Sequence, residues 1–362
     1  MSVDSGRSVD RGIQDDGTRS AGALVEARGI GRTFGAGGWL GPRRTVAAVG
    51  HVDLAIRRGE TLAIVGESGC GKSTLGRLLL GLEPPTQGQV LFDGQDLAGL
   101  GERRLRHLRA RMQLVFQNTL AALDPRMTIG QQILEPFRIH RTDVPASAPP
   151  IEQLLADVGL APALAERFPH QLSGGQRQRV VMARALATEP DFVVFDEPVS
   201  ALDVSVQAQI IALIRSLQRQ RGFASVFISH DLRVVRHIAD RIAVMYLGRV
   251  VEEGPIATVF AAPAHPYTRA LVSSVPRVVL GARRQRVRLA GEPPSPAAIP
   301  AGCPFHPRCA LAQDVCRRDR PALAVVGGGQ SAACHFAAPA AEDAAIAPTL
   351  VPADPPLWQA RA

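Results

Sequence analysis

A glycine-rich segment that contains the only lysine of the chain, Gly66-Glu-Ser-Gly-Cys-Gly-Lys72-Ser73, most narrows what this sequence can fold into. It fits the pattern G-x-x-x-x-G-K-[S/T], follows the apolar run 62–65 and opens an amphipathic stretch over 73–82. In such a strand–turn–helix unit, backbone N–H groups and the helix N-terminus surround phosphate oxygens. The segment therefore predicts an α/β nucleotide-binding fold. The residues expected to contact nucleotide are Gly66, Glu67, Ser68, Gly69, Cys70, Gly71, Lys72, Ser73 and Thr74.

The single lysine supports this interpretation. Of 41 basic residues, only Lys72 is a lysine and all others are arginines. In such an arginine-rich chain, a lysine kept at one position indicates a task that a planar guanidinium does poorly. We expect the compact ammonium to bind the β- and γ-phosphates, and the Ser73 hydroxyl to bind Mg²⁺.

The rest of the chain alternates apolar strands with longer amphipathic helices, which is typical of a largely parallel sheet. Strands are predicted at 62–65, 112–116, 192–195 and 225–228, and helices at 73–82, 176–187, 204–221 and 232–239. Turn-punctuated segments at 43–60 and 88–97 predict an antiparallel β edge. Residues 119–187 are mostly helical and predict an inserted helical segment.

Length and composition set the domain plan. The chain has 362 residues, enough for about two domains. We expect a flexible N-terminal arm (1–22), a nucleotide-binding domain (23–260), a smaller C-terminal region (261–336) and a disordered Ala/Pro tail (337–362). No apolar run reaches the roughly 18 residues of a membrane span, and the N-terminus has no apolar signal core. A cytoplasmic protein is expected.

The basic balance does not indicate a nucleic-acid partner. The net charge is +8, but the arginines are scattered and aromatic residues make up only 4% of the chain. A nucleic-acid surface would concentrate basic and aromatic residues on one face. We therefore expect no nucleic-acid partner.

Two carboxylates follow the apolar strand at 192–195. Asp196 suits Mg²⁺, and Glu197 is placed to orient and deprotonate an attacking water. Alone, two acids at a strand end are a weak signal, but beside a phosphate loop they predict nucleotide hydrolysis.

A second potential anion site lies at Leu172-Ser-Gly-Gly-Gln176, before a predicted helix. A serine cap and glycine amides at a helix N-terminus can bind phosphate. Because the chain already has one phosphate loop, this site suggests a nucleotide presented by another subunit. The alternative is an ordinary helix cap.

This run resembles the signature of ABC-type ATPases, and it lies between the phosphate loop and the Asp-Glu strand as in that family. The resemblance implies a RecA-like parallel sheet with an antiparallel β edge and a helical insert. ATP and Mg²⁺ would bind between two cassettes. The implied roles are a γ-phosphate contact for His230, a Mg²⁺ and water sensor for Gln117, a dimer-interface loop containing Asp203, and signature contacts from Ser173, Gly174, Gly175 and Gln176.

The same family stacks an aromatic residue on adenine, and Phe34 is the main candidate. Trp39 is a second candidate, and a Phe34 that simply packs at a β edge is the alternative.

Further motifs resemble the ATPases of dipeptide and oligopeptide importers, and most closely their second ATPase subunit. They are Val199-Ser-Ala-Leu-Asp-Val-Ser-Val206, Met245-Tyr-Leu-Gly248, His265-Pro-Tyr-Thr268 and Gly291-Glu-Pro-Pro-Ser-Pro296. The resemblance implies a partner ATPase subunit, two permeases, an extracytoplasmic solute-binding protein and a peripheral position on the cytoplasmic face of the membrane. Import of nickel or another small solute is the alternative. A soluble ABC ATPase acting on ribosomes or DNA is more remote, because such chains usually carry two phosphate loops or a long coiled-coil insert.

The five cysteines divide into two groups. Cys70 is a small residue of the phosphate loop, whereas Cys303, Cys309, Cys316 and Cys334 share the spacing C-x5-C-x6-C-x17-C. Four thiolates suit zinc or an iron–sulfur cluster, and the long spacings favour the cluster. The resemblance implies a [4Fe–4S] site here; zinc and free thiols are the alternatives. We expect this region to bury little core of its own, and we expect none of the hydrolysis motifs to need it.

Overall fold

The structure is a computed structural model that describes residues 22–36, 44–116, 122–140, 150–275, 289 and 291–337. The predicted N-terminal arm and Ala/Pro tail lie almost wholly outside these ranges. Within them, no helix is both long and apolar enough to cross a bilayer.

The described residues form twelve strands and ten α-helices. The strands are β1 Ala23–Ala36, β2 Arg44–Arg57, β3 Thr61–Val65, β4 Gln87–Phe92, β5 Gln95–Asp96, β6 Met112–Val115, β7 Phe192–Asp196, β8 Ala224–Ser229, β9 Arg241–Tyr246, β10 Arg249–Pro255, β11 Ala324–Gly327 and β12 Gln330–Ala332. The helices are α1 Lys72–Leu79, α2 Glu102–Arg111, α3 Ile129–His140, α4 Ile151–Asp157, α5 Gly174–Leu186, α6 Val204–Arg221, α7 Leu232–Ile238, α8 Ile256–Ala261, α9 Pro266–Ser273 and α10 Asp314–Arg318. Short 3-10 turns occupy Leu97–Gly99, Pro162–Glu166, Pro169–Gln171 and His306–Arg308.

The larger sheet has eight strands in the order β11-β12-β10-β9-β3-β8-β7-β6. The strands from β9 to β6 run parallel to their neighbours. All five residues of β3 are buried, as expected of a parallel strand covered on both faces. The predicted parallel sheet is confirmed, and each of its four predicted strands is present within one or two residues.

The smaller sheet is antiparallel, with the order β2-β1-β4-β5. Its strands β2, β4 and β5 cover the two segments predicted as an antiparallel edge, and β1 completes the sheet by pairing with both β2 and β4. In the described part of residues 119–187 there are helices α3 to α5 and two 3-10 turns, and no strand.

Two hydrophobic cores flank the larger sheet. One lies against helix α1 and the smaller sheet, and the other lies under helices α3 to α7. Both use alternate residues of the buried strands: Leu62 and Ile64 of β3 belong to the first core, and Ala63 and Val65 belong to the second. Both faces of the sheet are therefore covered by hydrophobic cores. Polar loops can lie at the edge where the parallel strands have their carboxyl ends.

The C-terminal region is more closely joined to the sheet than the sequence suggests. Strand β12 pairs antiparallel with β10, which adds β12 and β11 to the edge of the larger sheet. Cys303, Phe305 and Cys316 belong to the second hydrophobic core. These residues join a core that the sheet and helices already build, so the region extends an existing core and does not form a separate one.

Aromatic rings join the C-terminal region to β9. The centre of the Phe305 ring lies 5.3 Å from that of the Tyr246 ring, in an edge-to-face arrangement, and 5.5 Å from that of the Tyr267 ring. The His265 ring lies 5.6 Å from Phe305, and burial lowers the pKa of His265 to about 3. We call Tyr246, His265, Tyr267 and Phe305 the aromatic cluster.

We expect Phe305→Ala to lower the free energy of unfolding by about 3–5 kcal/mol, because the ring is 2% exposed and its removal leaves a cavity within the aromatic cluster. Phe336→Ala, at a ring that is 37% exposed in the same region, should cost well under about 1 kcal/mol. Thermal or urea denaturation measures both variants. Equal losses would contradict the assignment of Phe305 as the ring that ties the region to the sheet.

Candidate nucleotide site

The phosphate loop connects β3 to α1 at the carboxyl edge of the larger sheet. Gly71 precedes the helix with φ of 101°, and a Cβ at this position would lie 2.0 Å from the carbonyl oxygen of Ala48. Only glycine satisfies both demands. The local fold thus explains one invariant position of the motif without reference to a ligand.

Lys72 is 5% exposed and lies back over the loop. Its Nζ donates hydrogen bonds to the carbonyl oxygens of Gly66 and Glu67 at 2.9 and 3.0 Å. Backbone carbonyl groups of the phosphate loop thus position the Lys72 ammonium. Burial raises the pKa of the Cys70 thiol, in agreement with its interpretation as a small loop residue.

The side chains of Ser73 and Asp196 lie in contact at the position where a divalent cation would be held. The Ser73 hydroxyl donates to the Asp196 carboxylate at 2.9 Å. Burial raises the pKa of Asp196, and the hydrogen bond from Ser73 opposes that rise. A hydroxyl and a carboxylate are hard oxygen ligands of the kind that Mg²⁺ prefers. The two residues fit the predicted magnesium site.

Glu197 and His230 come together because β7 and β8 are neighbouring parallel strands. His230 Nδ1 lies 3.3 Å from the Glu197 carboxylate. The Glu197 side chain is 17% exposed, whereas that of His230 is 56% exposed. Glu197 has φ of 47°, an uncommon value for a residue other than glycine, and its N–H donates to the carbonyl oxygen of Ile228. This backbone turn brings the carboxylate beyond the strand end, beside the magnesium candidates.

The signature forms a reciprocal helix cap. Ser173 Oγ accepts from the Gln176 N–H at 3.3 Å, and Gln176 Oε1 accepts from the Ser173 N–H at 2.9 Å. A Cβ on Gly175 would lie 2.9 Å from Val206 of α6. Within the single chain, these residues therefore cap helix α5. Among the described residues, no hydrogen bond joins the signature to the phosphate loop.

The remaining predicted residues are placed as follows. Asp203 immediately precedes α6 as its N-cap residue. Phe34 lies on β1 opposite Val46 and is 39% exposed, and the Arg32 guanidinium lies 4.9 Å from its ring centre. Gln117 and Trp39 lie outside the described residues.

Two residues that sequence reasoning missed contact the phosphate loop. The Glu67 N–H donates to the Tyr267 hydroxyl at 2.9 Å, and Arg308 donates two hydrogen bonds to the Glu67 carboxylate. The C-terminal region therefore contacts the phosphate loop directly. The sequence carries little signal for Arg308, since it is one arginine among many in its region.

The four C-terminal cysteines line one cavity. It is bordered by Cys303, Cys309, Cys316 and Cys334, with His265, Phe305, His306 and His335 among the other lining residues. Burial raises the pKa of Cys303, Cys309 and Cys334, and a hydrogen bond from a backbone N–H two residues further on opposes each rise. No described His, Cys, Asp or Glu residues form a group of three or more that could hold a metal ion. The thiols thus share a cavity without the close grouping that one ion requires.

Two family models match the chain. Residues 49–200 match the ABC transporter model, and residues 251–316 match the oligopeptide/dipeptide transporter C-terminal region. The first match includes the phosphate loop, the signature and the Asp196–Glu197 pair. The second includes Tyr267, Arg308 and three of the four clustered cysteines.

Relatives and a solved structure agree with these matches. The probable peptide ABC transporter ATP-binding protein y4tS of Sinorhizobium fredii is 51% identical over 303 residues, covering 82% of this chain and 84% of that protein. The oligopeptide transport ATP-binding protein AppF of Bacillus subtilis is 47% identical over 319 residues, covering 86% and 97%. The ATP-binding cassette MJ0796, a dimer bound to ADP and phosphate, is 30% identical with a TM-score of 0.57 and covers 64% of this chain and 99% of that one.

The fold and the site define an ABC-type ATPase. Within that class, the chain belongs to the family of ABC transporter ATP-binding proteins that carry the oligopeptide/dipeptide transporter C-terminal region.

We expect Glu197→Gln to keep ATP binding and to lower ATP turnover about 10²- to 10⁴-fold, because glutamine keeps the shape of the side chain but cannot accept the proton of water. Steady-state hydrolysis by the assembled complex and equilibrium ATP binding measure the two effects. His230→Gln should also lower turnover while ATP binding persists. A Glu197→Gln enzyme with most of its turnover would contradict the role of Glu197.

Proposed function

We propose that this chain is one of two ATPase subunits of an importer of dipeptides or oligopeptides. The observation that carries the proposal is one chain that joins a phosphate loop, a Ser73–Asp196 contact and a Glu197–His230 contact to a match with the oligopeptide/dipeptide transporter C-terminal region over 251–316. The names of the relatives, which specify peptide or oligopeptide transport, support the same solute class.

Each residue of the site has a role in this proposal. The backbone of the phosphate loop and Lys72 bind the triphosphate, and Ser73, Asp196 and Gln117 hold Mg²⁺. Glu197 takes the proton of the attacking water, and His230 contacts the γ-phosphate. Phe34 presents an exposed ring on which adenine can stack. The contacts of Ser73 with Asp196 and of Glu197 with His230 support this division of roles.

The site is completed by a second subunit. In this proposal, the signature Ser173–Gln176 and Asp203 of one subunit meet the nucleotide held by its partner. The dimeric state of the similar cassette MJ0796 supports such an arrangement. We propose a heterodimer with a second ATPase subunit, in line with the resemblance to one of two paired subunits. ATP then favours the closed dimer to the extent that it binds that state better than the open one.

Transport requires membrane partners. We propose two permeases, an extracytoplasmic solute-binding protein and a peripheral position of this chain on the cytoplasmic face of the membrane. Import of nickel or another small solute is the alternative within the class. A soluble ABC ATPase remains the more remote alternative, because the C-terminal match and the transporter names of the relatives favour transport.

We further propose that Cys303, Cys309, Cys316 and Cys334 hold a [4Fe–4S] cluster. Their shared cavity and the backbone N–H bonds toward three of the sulfurs support thiolate ligation. The long spacings between the four cysteines favour a cluster over a single ion. When bound, it would cross-link three segments of the C-terminal region. Zn²⁺ is the alternative.

We expect the purified chain alone to hydrolyse ATP slowly, because its site lacks the partner's signature. Reconstitution in vesicles with the second ATPase subunit and both permeases should raise the ATPase rate, and a peptide-loaded binding protein should raise it further. Uptake of labelled dipeptides or oligopeptides, with Ni²⁺ as the competing solute, identifies the cargo. Ni²⁺ uptake without peptide uptake would replace the proposed solute with the alternative.

Anaerobically purified protein should contain about four iron and four sulfide per chain, by the stoichiometry of the proposed cluster. Replacing any one of the four cysteines with serine should remove this content and lower the melting temperature. Cys70→Ser, at the remaining cysteine, serves as the control and should keep the iron. Stoichiometric zinc without sulfide would favour the alternative, and metal-free protein would contradict both.

A further inference from the structure

We propose that Arg308 is a positioning residue of the ATP site, and that it couples the four-cysteine region to the phosphate loop. The inference rests on the proposed ATP site at that loop. It assigns to the C-terminal region a task in nucleotide binding, beyond that of holding a cluster or contacting partners.

The contact itself is specific. Arg308 Nη1 and Nη2 donate to the two carboxylate oxygens of Glu67 at 2.8 and 3.0 Å. The Arg308 side chain is 6% exposed and that of Glu67 is 26% exposed. A bidentate arginine–carboxylate pair fixes orientation as well as distance, and solvent screens a largely buried pair weakly. The guanidinium therefore holds the Glu67 side chain in one place.

Glu67 is itself the hub of the loop. Its N–H donates to the Tyr267 hydroxyl at 2.9 Å, and its carbonyl oxygen accepts from Lys72 Nζ at 3.0 Å. Arg308 and Tyr267, both of the C-terminal region, thus bind the same residue that accepts a hydrogen bond from Lys72. A shift of Glu67 would move a carbonyl oxygen that positions the phosphate-binding ammonium.

Charge gives the pair a second effect. The Glu67 carboxylate lies in a loop that must accept a polyanion, and like charges repel. With Arg308 attached, the pair is neutral overall. Without it, a negative charge beside the phosphates would weaken ATP binding.

The position of Arg308 in turn depends on the cysteines. It ends the 3-10 turn His306–Arg308, which lies between Cys303 and Cys309 in sequence. The turn is fixed by Cys303, whose carbonyl oxygen accepts from the His306 N–H, and by the packing of Phe305 in the aromatic cluster. Loss of order at the cysteines would move the guanidinium away from Glu67.

Arg308 could instead serve only to anchor the C-terminal region, with no effect on nucleotide. Anchoring alone predicts a lower melting temperature and an unchanged dissociation constant for ATP once the protein is folded. Positioning predicts a weaker affinity, and the part of the loss that comes from the exposed charge of Glu67 recovers when that charge is also removed. The two explanations therefore differ in a double-mutant cycle.

The test measures equilibrium binding of a non-hydrolysable Mg·ATP analogue to the complete folded chain. Arg308→Met should raise the dissociation constant about tenfold, or roughly 1.4 kcal/mol. Glu67→Gln with Arg308→Met should recover part of this loss, because it removes the negative charge but does not restore the contact. Arg317→Met, at an exposed arginine beside Cys316, is the matched control and should bind as wild type. Wild-type affinity of folded Arg308→Met, or no recovery in the double variant, overturns the proposal.

Two further variants keep the test decisive. If Arg308→Met does not fold, Arg308→Lys keeps the charge without the bidentate geometry, and should bind a few-fold more weakly than wild type. Wild-type affinity of Arg308→Lys would then overturn the proposal. Lys72→Ala should abolish binding. Unchanged binding in Lys72→Ala would refute the proposed ATP site itself, whereas loss there without coupling between Glu67 and Arg308 would refute only this inference.

Coupling to the cysteines is tested by Cys309→Ser. This substitution should raise the dissociation constant several-fold in the wild-type background and have little effect in the Glu67→Gln, Arg308→Met background. An equal loss of affinity in both backgrounds would show that the cysteines act on ATP by another route, and would overturn the coupling.

Discussion

The candidate ATP site depends on three adjacent parallel strands, β3, β8 and β7, that end at one edge of the sheet. The strand register pairs Val65 with Ser229 and Asp196 with Ile228. The three strands therefore end at nearly the same level of the sheet. Each strand then delivers one part of the site: the phosphate loop from β3, the two carboxylates from β7 and His230 from β8. A parallel sheet is therefore the constraint that brings residues far apart in sequence within hydrogen-bond distance.

Much of this could be predicted because the signals are local. The phosphate loop, the apolar strand before Asp196 and the strand before His230 each occupy a short window, and their burial follows from hydrophobic runs. Parallel strands end together, so the contacts of Ser73 with Asp196 and of Glu197 with His230 follow from the strand order once a parallel sheet is assumed. The antiparallel edge could also be predicted from the sequence, because alternating apolar residues mark its strands and glycine marks its turns.

The contacts of the C-terminal region with the rest of the chain could not be predicted in the same way. Arg308 and Glu67 are 241 positions apart, and neither residue type is distinctive in its segment. Strand β12 has only three residues, and it is a strand because β10 offers an edge with unsatisfied hydrogen bonds. A pattern read along one chain cannot reveal a partner that exists only after the sheet has formed. The spacing of the cysteines predicts a metal site, but it carries no information about a contact between that region and the phosphate loop.

The contacts around Glu67 suggest why a glycine-rich loop gains from outside support. Such a loop has many accessible backbone conformations, and ordering it when ligand binds lowers the affinity. Glu67 is held through its N–H, its carbonyl oxygen and its carboxylate, by Tyr267, Lys72 and Arg308. Part of the ordering is therefore complete before nucleotide arrives. Because Tyr267 and Arg308 both belong to the C-terminal half of the chain, that region contributes preorganisation to a loop whose own sequence favours freedom.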